Sequence, residues 1–108
     1  MIQFVDLLRN AGNDLVVVDF YATWCGPCKA ISPKIEELAQ QLRGRVQFLK
    51  VDVDDDPDIA QQLEITAMPT FVFFRNSVEV GRVVGASLTN IINKITELDP
   101  VHLDENDF

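Results

Sequence analysis

From Ile2 to Ala11 the apolar residues recur at helical spacing. Ile2, Val5 and Leu8 form one row, Phe4, Leu7 and Ala11 the next, until Gly12 and Asn13 stop the pattern. LVVVDF, Leu15 to Phe20, abandons that period for a short β-branched run, the mark of a strand buried on both faces. The helical period returns from Pro27 to Leu42 through Ile31, Ile35, Leu38, Ala39 and Leu42. Pro33 sits inside it and should kink the helix, because proline has no backbone N–H. Gly44 ends that helix, and VQFLKV, Val46 to Val51, reads as a second strand. Asp56 stands as an N-cap, with Pro57 at the first position of a short helix reaching about Leu63. Thr70 to Phe74 is a third strand. Asn76-Ser77 makes a tight turn, since Asn tolerates positive φ, and a fourth strand runs to Val84. Ser87 caps a last helix with Leu88, Ile91, Ile92, Ile95 and Leu98 on one face, and Pro100 closes it.

The predicted order is therefore α, β, α, β, α, β, β, α. The first strand-to-strand connections carry helices, so those strands should be parallel, and the last two should form a hairpin. The expected class is α/β: a central mixed sheet with helices on its faces. The 108 residues make one domain, over residues 1–99, and nearly half of them are apolar, enough to build a core. Residues 100–108 form an acidic tail, expected to be disordered.

Charge narrows the partners. Acids outnumber bases by 17 to 9, for a net charge of −8, which makes nucleic acid and anionic membrane poor partners. No run approaches the length of a membrane span. MIQFVDLLRN has neither a basic leader nor an unbroken apolar stretch, so a soluble cytoplasmic protein is expected. The acidic run Asp52, Asp54, Asp55, Asp56 and Asp58 is not a calcium loop. Pro57 and Leu63 stand where an EF-hand starting at Asp52 needs glycine and glutamate.

The chain has two cysteines, Cys25 and Cys28, in ATWCGPCKA. As a staple they would close almost the smallest loop available and contribute little. As a zinc site they supply two of four ligands, and the only histidine is His102 in the tail, so no metal site is expected within one chain. Redox exchange fits better. Helix positions three apart have Cβ atoms about 5–6 Å apart, close to what a disulfide tolerates. Cys25 falls at the exposed start of a helix, where unpaired amides and the helix dipole favour a thiolate. C-x-x-C between β and α segments is read as a redox motif.

VVVDFYATWCGPCK, Val16 to Lys29, resembles the active-site segment of the thioredoxin family. The likeness runs from about Met1 to Leu98. It takes in Pro33, Lys50 in FLKVDVD, Ala67-Met68-Pro69-Thr70, Gly81 and Gly85. It implies a thioredoxin fold and a protein-disulfide reductase working through a mixed disulfide, with no bound cofactor beyond the redox-active Cys25–Cys28 pair. It also implies disulfide-containing protein substrates, and recycling by a thioredoxin reductase that draws on NADPH. Cys25 would attack, and Cys28, a buried thiol, would resolve. Asp19 would handle the proton of Cys28, with Lys50 near it. Pro69 would be a cis proline facing the disulfide, and Trp24, Gly26, Pro27, Met68, Gly85 and Ala86 would complete a flat surface receiving the substrate backbone.

Each role has a plainer rival. Asp19 could be an exposed carboxylate at a strand end, although it lies inside VVVDF, where burying a charge is costly. Trp24 could be core or contact surface. Lys50 could be a solvated strand residue, and Pro69 an ordinary trans turn proline. The rival to catalysis is a binding module whose redox state gates docking. The chain departs from the family in having its first helix-like segment at Met1, so the family's first strand is expected to be missing. Val46–Val51 then becomes an apolar sheet edge, expected to be covered by a partner chain, as in self-association, or by the N-terminal or tail segment.

Overall fold

The computed structural model describes residues 2–100. α1 (Ile2–Ala11), β1 (Leu15–Tyr21), α2 (Gly26–Gln41), β2 (Val46–Asp52), α3 (Pro57–Gln62), β3 (Thr70–Arg75), β4 (Val78–Val84) and α4 (Leu88–Leu98) follow in the predicted order. Of the tail expected over residues 100–108, Pro100 is described, its carbonyl accepting from the Arg45 guanidinium at 3.2 Å; residues 101–108 lie outside the described residues.

Side chains alternate across a strand, so β1 faces two ways. Leu15 and Val17 pack with Ile31, Ile35 and Leu38 of α2 and Ile91, Ile92 and Ile95 of α4. Val16, Val18 and Phe20 pack with Leu8 and Ala11 of α1 and Ile59 of α3. Phe4 adds edge-on ring contacts to Phe20 and Phe74, with centroids 6.5 and 5.8 Å away. A strand with apolar partners on both sides must be a continuous apolar run, which is why LVVVDF looks as it does. Asp19 shares the parity of Leu15 and Val17 and so belongs to the face beneath α2.

The four strands stand in the order β2-β1-β3-β4. β1 and β2 are parallel, with Asp19 beside Lys50, as the helical connection predicts. β3 is not parallel to the others: it runs antiparallel to β1, with Asp19 beside Phe71. The connection permits this reversal: α3, six residues and about 9 Å long, is too short to run the length of the sheet by itself. The chain reaches β3 at the end where β2 stops, since Phe20 pairs with Val51 on one side and Thr70 on the other. β3 and β4 form the expected hairpin. Its turn residues Asn76 and Ser77 have φ of 53° and 65°, the left-handed pair that suits strand twist.

Ser87 caps α4, its Oγ accepting from the Asn90 N–H at 3.2 Å. Asp56 holds the cap position of α3, but its side chain makes no capping hydrogen bond. α2 is helical through Pro33. Among the described residues the sheet has no fifth strand, and β2 and β4 are its edges.

Candidate active site

β1 ends beneath the start of α2, and the intervening loop presents the cysteines. Cys25 is the N-cap of α2, and its Sγ accepts from the Cys28 N–H at 3.1 Å. The two cysteines are joined as a disulfide with Cα atoms 5.3 Å apart. Proline and glycine between them suit the first turn, where the missing N–H has no helical partner to lose.

The exposure expected for Cys25 is not observed. Cys25 is 5% and Cys28 7% exposed. Cys25 turns its sulfur inward as a cap, to within 3.6 Å of the Met68 carbonyl oxygen. Both cysteines pack with Ala22, against Tyr21, Val53 and Met68. Position separates the two sulfurs where exposure does not. Cys28 lines a cleft of about 400 Å³ together with Asp19, Tyr21, Lys29, Pro33 and Lys50, whereas Cys25 lies outside it, against Met68.

Asp19 is 6% exposed. Its Oδ1 has no hydrogen-bond partner among the described residues. Burial pushes its pKa up to about 6, against the opposing pull of Lys50. Lys50 is exposed and sits beside Asp19 in register. Its Nζ lies 4.6 Å from the centroid of the Tyr21 ring.

A second group of residues surrounds the disulfide from the β3 side. The Met68–Pro69 bond is cis, and Pro69 is fully buried. Thr70 Oγ1 donates to the Ala67 carbonyl at 2.6 Å. The Gly85 N–H donates to the Pro69 carbonyl at 2.8 Å, which ties the end of β4 to this loop. Gly85 has φ of 101°, a conformation suited to glycine. Trp24, 66% exposed, is surface and not core. Gly26, Pro27 and Ala86 are exposed, and Met68 and Gly85 are half-buried.

Three neighbours were not assigned to this site from the sequence. Asp54 accepts from the Trp24 indole N–H at 2.9 Å. Tyr21 carries Lys50 on its ring. Val84 stands 61% exposed next to Gly85. Only Val84 left a local trace, a β-branched residue at a strand end. Among the described residues no group of three or more His, Cys, Asp or Glu could hold a metal ion. His102 lies outside them.

The Thioredoxin family model matches residues 2–97. Thioredoxin of Sus scrofa is 47% identical over 95 residues, covering 88% of this chain and 90% of the relative. "Thioredoxin-3, mitochondrial" of Saccharomyces cerevisiae is 45% identical over 96 residues, covering 89% and 73%. The crystal structure of Fasciola hepatica thioredoxin superposes with a TM-score of 0.88 at 43% identity, covering 91% of this chain and 93% of that one. The mixed four-stranded sheet with helices on both faces is thus the thioredoxin fold. With a C-G-P-C disulfide at the head of α2 and relatives this similar along nearly the whole domain, the chain belongs to the thioredoxin family and is a thiol–disulfide oxidoreductase.

Proposed function

We propose that in this protein-disulfide reductase Cys25 is the attacking thiolate, Cys28 the resolving thiol and Asp19 the base that serves Cys28. The observation that carries the assignment is positional: Cys25 caps α2, while Cys28 shares a cleft with Asp19. In the reduced chain a thiolate at Cys25 would sit at the helix N-terminus, favoured by the dipole and by the Cys28 N–H.

The Cys25 thiolate attacks one sulfur of a substrate disulfide. A Cys25–substrate bond forms, the substrate S–S bond breaks, and the departing sulfur leaves as a thiolate that takes a proton. The Cys28 thiol then gives its proton to the Asp19 carboxylate and attacks Cys25 Sγ. The Cys25–Cys28 disulfide forms, and the second substrate sulfur leaves as a thiolate that takes a proton. The substrate gains two electrons and two protons, and the dithiol supplies both electrons.

Trp24, Gly26, Pro27, Met68, Pro69, Gly85 and Ala86 receive the substrate backbone in this reading. Most are exposed or half-exposed, and the Gly85–Pro69 hydrogen bond holds their two loops together. A thioredoxin reductase fed by NADPH restores the dithiol. The cytoplasm suits that cycle because its thiols are kept reduced; a relative named mitochondrial shows that the family also serves another compartment. The edge strand β2, with Phe48 and Leu49 half-exposed, is a surface for self-association. The Val46–Val51 amides that point away from β1 should exchange slowly and speed up on dilution; fast exchange of those amides in a monodisperse monomer would refute it.

Insulin reduction coupled to NADPH through a thioredoxin reductase tests the function. NADPH consumption should require both cysteines. With dithiothreitol as reductant, a rate no higher than the reagent's own would mark a binding module instead.

A further inference from the structure

The parity of β1 places Tyr21 on the same face as Asp19, and the parallel register sets Lys50 beside Asp19. All three side chains line the cleft that holds Cys28. The Lys50 ammonium thus has two candidate partners, the Asp19 carboxyl and the Tyr21 ring. It takes the ring, 4.6 Å from the centroid, and among the described residues it makes no ion pair. Asp19 Oδ1 has no hydrogen-bond partner among the described residues.

We propose that Tyr21 is a positioning residue: its ring face holds the Lys50 ammonium away from the Asp19 carboxyl and so keeps that carboxyl unpaired beside Cys28. The balance is physically reasonable. Asp19 is deeply buried, so an ammonium reaching it would shed water. The half-buried Tyr21 ring binds the ammonium while exposed Lys50 keeps its outer side hydrated. The other ionisable groups around Asp19 are Cys28 and Lys29 on α2, which line the same cleft, while β3 presents only Phe71 beside it. Burial, Asp52, Asp55 and Asp19 together raise the pKa of the Tyr21 hydroxyl, so the ring stays an uncharged phenol at neutral pH. Without the ring, Lys50 is free to pair with Asp19 and hold it ionised to lower pH. The functional consequence rests on the proposed role of Asp19 as base: an ion-paired carboxylate is a poorer acceptor for the Cys28 proton.

The test is the carboxyl carbon shift of Asp19, followed by NMR against pH in the oxidised full chain, where neither sulfur titrates. Tyr21→Leu should lower the midpoint by about one pH unit, a tenfold change in proton affinity, as an opposite charge does. Tyr21→Phe keeps the ring and should leave the midpoint in place. In a Lys50→Met background, Tyr21→Leu should cause no fall. An equal fall without Lys50, or no fall with it, overturns the proposal. In the unaltered chain, which needs no variant to fold, the Lys50 ε-methylene protons should be shifted upfield by the ring, and ordinary lysine shifts would also overturn it. The role of Asp19 as base fails separately, if Asp19→Asn resolves mixed disulfides at the wild-type rate.

Discussion

Asp19 concentrates the cost of this site in one side chain. Its carboxyl is buried with an oxygen unpartnered, and its pKa rises to about 6 from 3.8 because burial disfavours the charge. A folded pKa above the unfolded one means that ionisation favours the unfolded chain. The penalty is absent below the unfolded value, grows as pH rises between the two, and is constant above the folded one. The rise from 3.8 to about 6 corresponds to at most about 3 kcal/mol. Asp19→Asn keeps the shape without the charge. It should be more stable than wild type at pH 8 by up to about 3 kcal/mol, with the gain gone below about pH 4, in denaturant titrations at both values. Resolution of mixed disulfides should be slower by about 10²-fold or more in single-turnover kinetics, the usual contribution of a general base. A variant less stable at every pH and resolving at the wild-type rate would make Asp19 a structural hydrogen-bonder.

Elements were the legible part of this chain, because local period follows local burial. The run LVVVDF could be read as a two-sided strand, and the row Leu88, Ile91, Ile92, Ile95 and Leu98 as one helix face, without knowing what covers them. Strand direction was not legible in the same way. Whether β3 runs parallel depends on how far the short α3 connection travels, a distance that no residue pattern encodes. The cysteine positions were legible, but the burial of Cys25 was not, because Met68 covers it from 43 residues away. The hold of Tyr21 on Lys50 and of Asp54 on Trp24 also depends on the fold bringing strands and loops together. Caps test the limit at this scale. Ser87→Ala removes an observed capping bond and should cost about 1 kcal/mol in chemical denaturation. Asp56→Ala removes no such bond and should cost about half as much or less, through the helix dipole alone. Equal losses would mean that the difference between the two caps has no energetic weight.

The whole molecule brings its chemistry to one end of the sheet. The end of β1, the start of α2, the loop before β3 and the end of β4 meet there through the Cys25–Met68 contact and the Gly85–Pro69 hydrogen bond. The order β2-β1-β3-β4 makes this possible, since the two central strands carry Asp19 and the loop that faces the disulfide. The two sulfurs, both buried at rest, are proposed to have different jobs because one caps α2 and the other shares a cleft with Asp19. Mixed-disulfide trapping measures that difference most directly. Each single Cys→Ser variant is reduced, mixed with a disulfide-containing protein and run on a non-reducing gel. A stable adduct is expected for Cys28→Ser, through Cys25, and none for Cys25→Ser. Equal trapping by both variants would contradict it.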